Sequence, residues 1–272
     1  MTKTILLTGT TDGIGFHAAQ KLAASGHTLL LHGRSEEKLE NVKATIQSTS
    51  PNAAVETYRA DLSRFDEVED LAEAIATRHQ KLDVLINNAG VFRTAHPRTP
   101  DGLDARMMVN TIAPYLLTRR LLPLMGPGGR IINLSSAAQA PVDLDALAGD
   151  GQLSDNAAYA QSKLAITAWS RVLADELGDA CPAVIAVNPG SLLATKMVRE
   201  AYGMSGADIN IGADILVRAA LDDAFASASG EYFDNDTGRF APPHPAALDD
   251  ATARGIVRSI HAVVQRAGLT MP

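Results

Sequence analysis

The feature that most constrains this chain is an alternation of short apolar runs with longer helix-patterned segments, kept up over roughly its first 190 residues. The apolar runs are Thr4–Leu7, Thr28–Leu31, Val55–Tyr58, Val84–Ile86, Arg130–Leu134 and Val184–Val187. Between them lie segments with helical spacing, 14–24, 36–47, 65–78, 103–125 and 157–177. Strands this short and this uniformly apolar need cover on both faces, which helices in βαβ units provide, so a parallel sheet is expected. Right-handed crossovers then wind the chain in both directions from the first strand, giving a doubly wound α/β domain. Its ligand crevice lies at the carboxyl ends of the strands. No linker or low-complexity tract divides the chain, so one domain is predicted, with 1–188 as cofactor-binding core and 189–272 as a substrate-shaping part. In that later part Pro, Gly and Asp are scattered through 189–212, and a last helix covers about 249–266.

Composition narrows the function classes. The 272 residues carry a net charge of −7 with no concentrated basic face, which argues against a general nucleic-acid binder. Cys181 is the only cysteine, so neither a disulfide framework nor a cysteine-based metal site is expected, and no metal is assigned. The opening apolar run is too short for a signal peptide and no stretch is long enough to span a bilayer. A cytoplasmic location is therefore expected.

Between the first strand and the first helix stands Thr8-Gly9-Thr10-Thr11-Asp12-Gly13-Ile14-Gly15. A turn here must be sharp, must let backbone approach a phosphate, and must let the helix pack closely on the sheet. Glycine meets all three needs, while the helix N-terminus offers free N–H groups to an anion. The end of the second strand should read the adenosine ribose: an acid suits NAD and a cation suits NADP. The chain has His32-Gly33-Arg34-Ser35, with Arg34 able to grip a phosphate and Ser35 placed to cap the next helix. NADP is thus expected before NAD, although Glu36 and Glu37 pull the other way. Asp61-Leu62 after the third strand and Asn87-Asn88-Ala89-Gly90 after the fourth lie at the same sheet edge, where each suits either cofactor contact or turn formation.

The segment 157–177 carries Tyr159 and Lys163, four residues apart and so on one helical face. A tyrosine with a reference pKa of about 10 must come down by roughly three units, about 4 kcal/mol, to exchange protons near neutrality. An adjacent ammonium supplies part of this. Ser136, closing Ile131-Ile132-Asn133-Leu134-Ser135-Ser136, could hold a substrate oxygen beside the tyrosine.

In order and spacing, these motifs resemble the short-chain dehydrogenase/reductase family over about the first 200 residues. The matches are the glycine turn 8–15, Asn-Asn-Ala-Gly at 87–90, Asn110, Ser136, the Tyr159/Lys163 pair, and Pro189-Gly190 followed by Thr195. Thr99 to Asp104, Val109 to Thr118, and Gly230-Glu231-Tyr232-Phe233 look like the retinol dehydrogenase branch. The resemblance implies a Rossmann fold and hydride transfer between a nicotinamide and a carbonyl or alcohol carbon. By the same resemblance Tyr159 is general acid or base, Lys163 lowers its pKa and bonds the nicotinamide ribose, and Ser136 orients the substrate. Asn110 would hold a water leading to Lys163, and Gly190 and Thr195 would grip the carboxamide. Many relatives pair subunits through the helices matching 101–125 and 154–178, so a homo-oligomer is admissible.

A catalytically silent NADP-binding regulator of the same fold is the alternative, and a nucleotide-sugar epimerase ranks below it; the retained tyrosine and lysine favour an enzyme. Leu192, Leu193, Met197, Val198, Tyr202 and Met204 suggest an apolar lid and a hydrophobic small-molecule carbonyl or alcohol, or simply a helix packed on the core. The Ser136–Tyr159 interval is long. Its segment 137–158, bearing Asp143, Asp145, Asp150 and Asp155, could shape the substrate pocket or form a solvated loop.

Overall fold

A computed structural model describes residues 2–178 and 182–271; Cys181 lies outside the described residues, as do the side chains of Ala201 and Tyr202. The expected alternation runs β1 (Thr4–Leu7), α1 (Gly13–Ala24), β2 (Thr28–Gly33), α2 (Glu36–Thr49), β3 (Val55–Arg59), α3 (Phe65–Arg78) and β4 (Val84–Asn87). Then come α4 (Ala105–Met107), a π turn (Met108–Ile112), α5 (Ala113–Leu121), β5 (Arg130–Leu134), α6 (Leu144–Ala148), α7 (Asp155–Leu177) and β6 (Ala183–Asn188). The chain ends with α8 (Lys196–Tyr202), α9 (Asn210–Leu221), β7 (Tyr232–Asp234), β8 (Arg239–Phe240), α10 (Pro245–Leu248) and α11 (Asp250–Arg266).

The eight strands form one sheet in the order β3-β2-β1-β4-β5-β6-β7-β8, parallel except for the antiparallel β8 at one edge. Every residue of β4, β5 and β6 is buried, as strands covered on both faces must be. One face is covered by α1, α2 and α9, the other by α3, α5, α7 and α11. Trp169 of α7 is fully buried edge-on to Tyr115 of α5, 5.3 Å between ring centroids. Burial of one such large apolar side chain contributes about 1.5–3 kcal/mol. Strand order reverses direction between β1 and β4, and the crevice above their carboxyl ends is where this topology places a ligand.

Three departures from the sequence expectation have local causes. The helix expected over 103–125 starts at Ala105 because the Asp104 side chain caps it, accepting from the Arg106 N–H at 2.8 Å. It widens into the π turn and ends at Leu121, followed by a single 3-10 turn at Leu122–Leu124 around Pro123. The looser 189–212 stretch contains α8, which Thr195 caps by accepting from the Val198 N–H at 3.2 Å. The segment 137–158 folds α6 onto α11, with Leu147 fully buried.

Candidate active site

Local hydrogen bonds shape the glycine turn after β1. Thr8 Oγ1 accepts from the N–H groups of Asn88 and Ala89, both at 3.0 Å, and Asn88 Nδ2 donates to Thr8 O at 2.7 Å and Gly9 O at 3.0 Å. A Cβ on Gly15 would stand 2.2 Å from Gly9 O, so the helix start can approach the strand end only as glycine. Gly9 itself has φ +70°, and a Cβ there would meet the Ala89 backbone at 2.8 Å. His32 closes the arrangement from β2. Its Nε2–H donates to Ala60 O at 3.0 Å, which leaves Nδ1 to accept from the Gly9 N–H at 3.3 Å. Burial pushes the His32 pKa down to about 4, so the ring is neutral at physiological pH. Asp12 caps α1 by accepting from the Gly13 N–H at 2.7 Å.

A cavity of about 690 Å³ runs from this turn across the strand ends. Of the catalytic and cofactor residues singled out in the sequence, Ser136, Tyr159, Lys163, Arg34, Pro189, Gly190 and Thr195 line it with positions 9, 11–15, 61–62 and 88–90, whereas Ser35, Asn87 and Asn110 do not. Ser35 instead caps α2, accepting from the Lys38 N–H at 3.3 Å. Arg34 and Lys38 both line the cavity at its β2 end, and among the described residues neither is paired with a carboxylate. Glu36 and Glu37 lie in the first turn of α2 and line no part of it. Asp61 and Leu62 form the β3 side of the same end.

The other end is built on α7. Ser154 caps that helix at its start, accepting from the Ala157 N–H, and half-buried Tyr159 follows in its second turn. Lys163 lies one turn further on, its Nζ 5.6 Å from the Tyr159 ring centroid and donating to Leu134 O at 2.7 Å. Among the described residues no carboxylate pairs with Lys163, and burial draws its pKa down to about 8. Ser135 fixes α7 against β5 through Thr167 Oγ1 at 2.6 Å and Lys163 O at 3.1 Å. Ser136, next along, lines the cavity. Its Oγ accepts from the Ala138 N–H at 3.1 Å, which leaves its O–H free to donate.

Asn110 sits behind the cavity wall, in the π turn. Its side-chain amide pairs with the backbone of Val91, accepting at 2.8 Å and donating at 2.9 Å, and donates to Ser162 Oγ at 3.0 Å. Gly90 lies between it and the lysine: a Cβ there would be 3.4 Å from Asn110 Oδ1 and 3.7 Å from Lys163 Nζ. Glycine thus leaves a gap shared by the two groups. π turns of this kind recur at functional sites.

Phe92, Leu192, Leu193, Met197 and Val198 line the cavity near Tyr159; Met204 does not, and the Tyr202 side chain lies outside the described residues. Phe92 packs edge-on to Tyr159 with centroids 5.0 Å apart. Leu192 holds φ +52°, an uncommon left-handed conformation for a leucine, with its side chain 46% exposed. The loop carrying it is clamped from β7. Asp236 accepts from the Ser191 N–H at 2.7 Å and the Ser191 hydroxyl at 2.6 Å, and Asn188 Nδ2 donates to Asp234 and Asp236 at 2.9 Å each. Burial pushes the Asp236 pKa up, but donors from Ser191 and Asn188 outweigh it and hold the carboxyl below the usual range.

Sequence reasoning missed His32 as a bonding partner, Lys38, Phe92 and the Asp236 clamp. Lys38 was within reach of it, being three residues after a predicted N-cap and so in the first turn of the helix that follows Arg34. The clamp carried no signal, because it joins residues 45 positions apart across β6 and β7. Among the described residues no three His, Cys, Asp or Glu side chains cluster to hold a metal, and no helix is long and apolar enough to cross a membrane.

A glycine turn tied to the β4 loop, with a tyrosine, a buried lysine and a serine at the ends of β5 and α7, defines a dinucleotide-linked oxidoreductase site. The short chain dehydrogenase family profile matches residues 3–205, and this chain belongs to that family. Human retinol dehydrogenase 13 is 32% identical over 272 aligned residues, covering 93% of this chain and 81% of that protein. A short chain dehydrogenase from Shigella flexneri 2a str. 301 complexed with NADP superposes with a TM-score of 0.68 at 30% identity, covering 86% of this chain and 96% of that one. The landomycin C-6 ketoreductase LanV with bound NADP and rabelomycin gives 0.69 at 29% identity, covering 87% and 95%. The chain is accordingly an oxidoreductase of the CH–OH/C=O class.

Proposed function

We propose that the protein is an NADP(H)-dependent reductase of an apolar aldehyde or ketone, with Tyr159 as the general acid. The observation that carries this reading is the two-ended cavity: unpaired Arg34 and Lys38 at one end, Tyr159, Lys163 and Ser136 at the other. The lining fits a nicotinamide dinucleotide. At the turn, Gly13 has φ +61°, and a Cβ there would meet nothing nearer than Thr195 Cγ2 at 3.9 Å, so no side chain crowds a phosphate at this point. Arg34 and Lys38 would meet a 2′-phosphate, and Gly190 and Thr195 flank the nicotinamide end.

When bound, the cofactor supplies the hydride; the chain supplies position and a proton. Ser136 donates from its hydroxyl to the substrate carbonyl oxygen, and Tyr159 delivers a proton to that same oxygen as negative charge develops on it. Lys163, one turn away, stabilises the tyrosinate that remains. Asn110 and the gap over Gly90 offer a route by which a water could return the proton through Lys163. Phe92, Leu192, Leu193, Met197 and Val198 exclude water around the reacting carbon and favour an apolar substrate.

The test is purified protein with NADPH, and in parallel NADH, against a panel of aldehydes and ketones, followed by NADPH absorbance. Turnover of apolar carbonyls with NADPH, abolished in Tyr159→Phe while NADPH still binds, is the expected result. Full activity in Tyr159→Phe would sink the role given to Tyr159. Binding of NADPH without turnover of any carbonyl or alcohol would favour a silent cofactor-binding regulator instead.

A further inference from the structure

Arg106 is among the largest fully buried side chains of the molecule, and nothing in the reaction uses it. Its guanidinium grips Asp104 at two points, Nε to Oδ1 at 2.9 Å and Nη2 to Oδ2 at 2.6 Å. The remaining nitrogen, Nη1, reaches Asp155 Oδ1 at 2.6 Å and Phe92 O at 3.4 Å. These partners lie on separate segments that meet at the reacting end. Asp155 is the first residue of α7, one helical turn before Tyr159. Phe92 is the residue whose ring packs edge-on to Tyr159. Arg106 itself lies one turn before Asn110, at the entrance to the π turn.

A buried ion pair is a weak device for stability, since the desolvation of its charges offsets much of their attraction. Its strength is geometric: a planar guanidinium holds several oxygens at fixed angles. We propose that Arg106 is a positioning residue, which through Asp155 and Phe92 sets the place of the Tyr159 hydroxyl. This rests on the reading of Tyr159 as general acid.

Arg106→Met leaves Asp104 with its charge buried and unpaired and risks misfolding, so Asp155→Asn is the first variant to make. The Asp155 side chain is 48% exposed, so its neutralisation leaves no buried unpaired carboxylate and the variant is expected to fold. Loss of position of about 1 Å can cost 10²-fold in rate, so kcat is expected to fall about ten- to a hundredfold, with NADPH Kd within about twofold of the unaltered protein. Asp155→Glu, which keeps the charge, is expected to restore most of the rate. A crystal structure of Asp155→Asn with NADP should have Phe92 and the Tyr159 hydroxyl displaced together.

Two results overturn the proposal. One is an unmoved Tyr159, whether kcat is unchanged or falls with a shifted pH profile. The other is a parallel loss of kcat, NADPH affinity and folded fraction, which would make Arg106 a structural element only. Should the unaltered protein turn over no carbonyl at all, the functional reading fails by that result alone. The crystallographic displacement then decides the positioning role by itself.

Discussion

Lys163 Nζ donates to the carbonyl of Leu134 at 2.7 Å, two residues before Ser136, so the cation is anchored to the strand that also presents the serine. A neutral carbonyl fixes the ammonium in place without the counter-charge a carboxylate would bring. Burial then dominates and draws the lysine pKa to about 8. The ammonium is present below that value and lost above it. The value of kcat/KM should therefore fall along a basic limb centred at about pH 8, and a pH profile of the free enzyme checks this. Stability runs the other way. The folded pKa lies below the ordinary value of 10.5, so between about 8 and 10.5 the unfolded chain binds more protons. Denaturation measured across that window should find the protein gaining stability with pH relative to Lys163→Met.

His32 links the end of β2 to the glycine turn through the Gly9 N–H and to β3 through Ala60 O. Its folded pKa of about 4 lies below the ordinary 6.5, so the unfolded chain binds the extra proton between these values. The neutral ring's contribution is fully present above pH 6.5 and is lost as pH falls towards about 4; the span corresponds to about 3 kcal/mol. His32→Leu should flatten that acid dependence in urea titrations. It should also weaken NADPH binding, since the Gly9 N–H loses its acceptor, at a cost of about 1–3 kcal/mol. Unchanged NADPH affinity in this variant would separate His32 from the cofactor turn.

How much of this was legible in the sequence depended on whether the cause was local. The strands were readable because double-sided burial makes them uniformly apolar, and the glycine turn because one close approach, Gly15 to Gly9 O, excludes any side chain. Tyr159 and Lys163 were readable as an i, i+4 pair. Ser35 was legible in position but stands outside the cavity, because a single hydroxyl oxygen is taken by the Lys38 N–H it caps. Asn110 was singled out as a water-holding residue, and its amide is occupied by the Val91 backbone, a contact between residues 19 apart. The Arg106 brace and the Asp236 clamp stayed hidden because their partners come together only when distant loops meet over the sheet.

Arg34 and Lys38 face the cavity with no carboxylate partner among the described residues, and Asp12 places a negative charge at the same turn. Arg34→Ala and Lys38→Ala should each raise the NADPH Kd by roughly tenfold, with little effect on NADH, since a 2′-phosphate is the group they would meet. Asp12→Asn keeps an acceptor for the Gly13 N–H while removing the charge, so NADPH should bind more tightly. Isothermal titration with both cofactors separates these effects. Equal losses for NADPH and NADH in Arg34→Ala would assign the arginine to general phosphate attraction.

The 137–158 segment is held by arginines and touches the cavity wall only through Ala138. Arg98 donates to the carbonyls of Gly102 at 2.6 Å, Gly149 at 2.8 Å and Gly151 at 2.6 Å, and Arg266 donates to Ala148 O at 2.6 Å. Asp143 caps α6 and Asp155 pairs with Arg106, so two of the segment's four acids have structural partners. Among the described residues, none from 139 to 158 lines the cavity. Arg98→Ala should therefore loosen the segment without remaking the substrate pocket. Arg98 is solvent-exposed, which limits the loss to about 1 kcal/mol, or roughly a fivefold fall in protection of the 144–151 amides in hydrogen exchange. Substrate KM should stay within about twofold, because no lining residue moves. A large rise in KM together with altered carbonyl preference would show that the segment reaches the substrate after all.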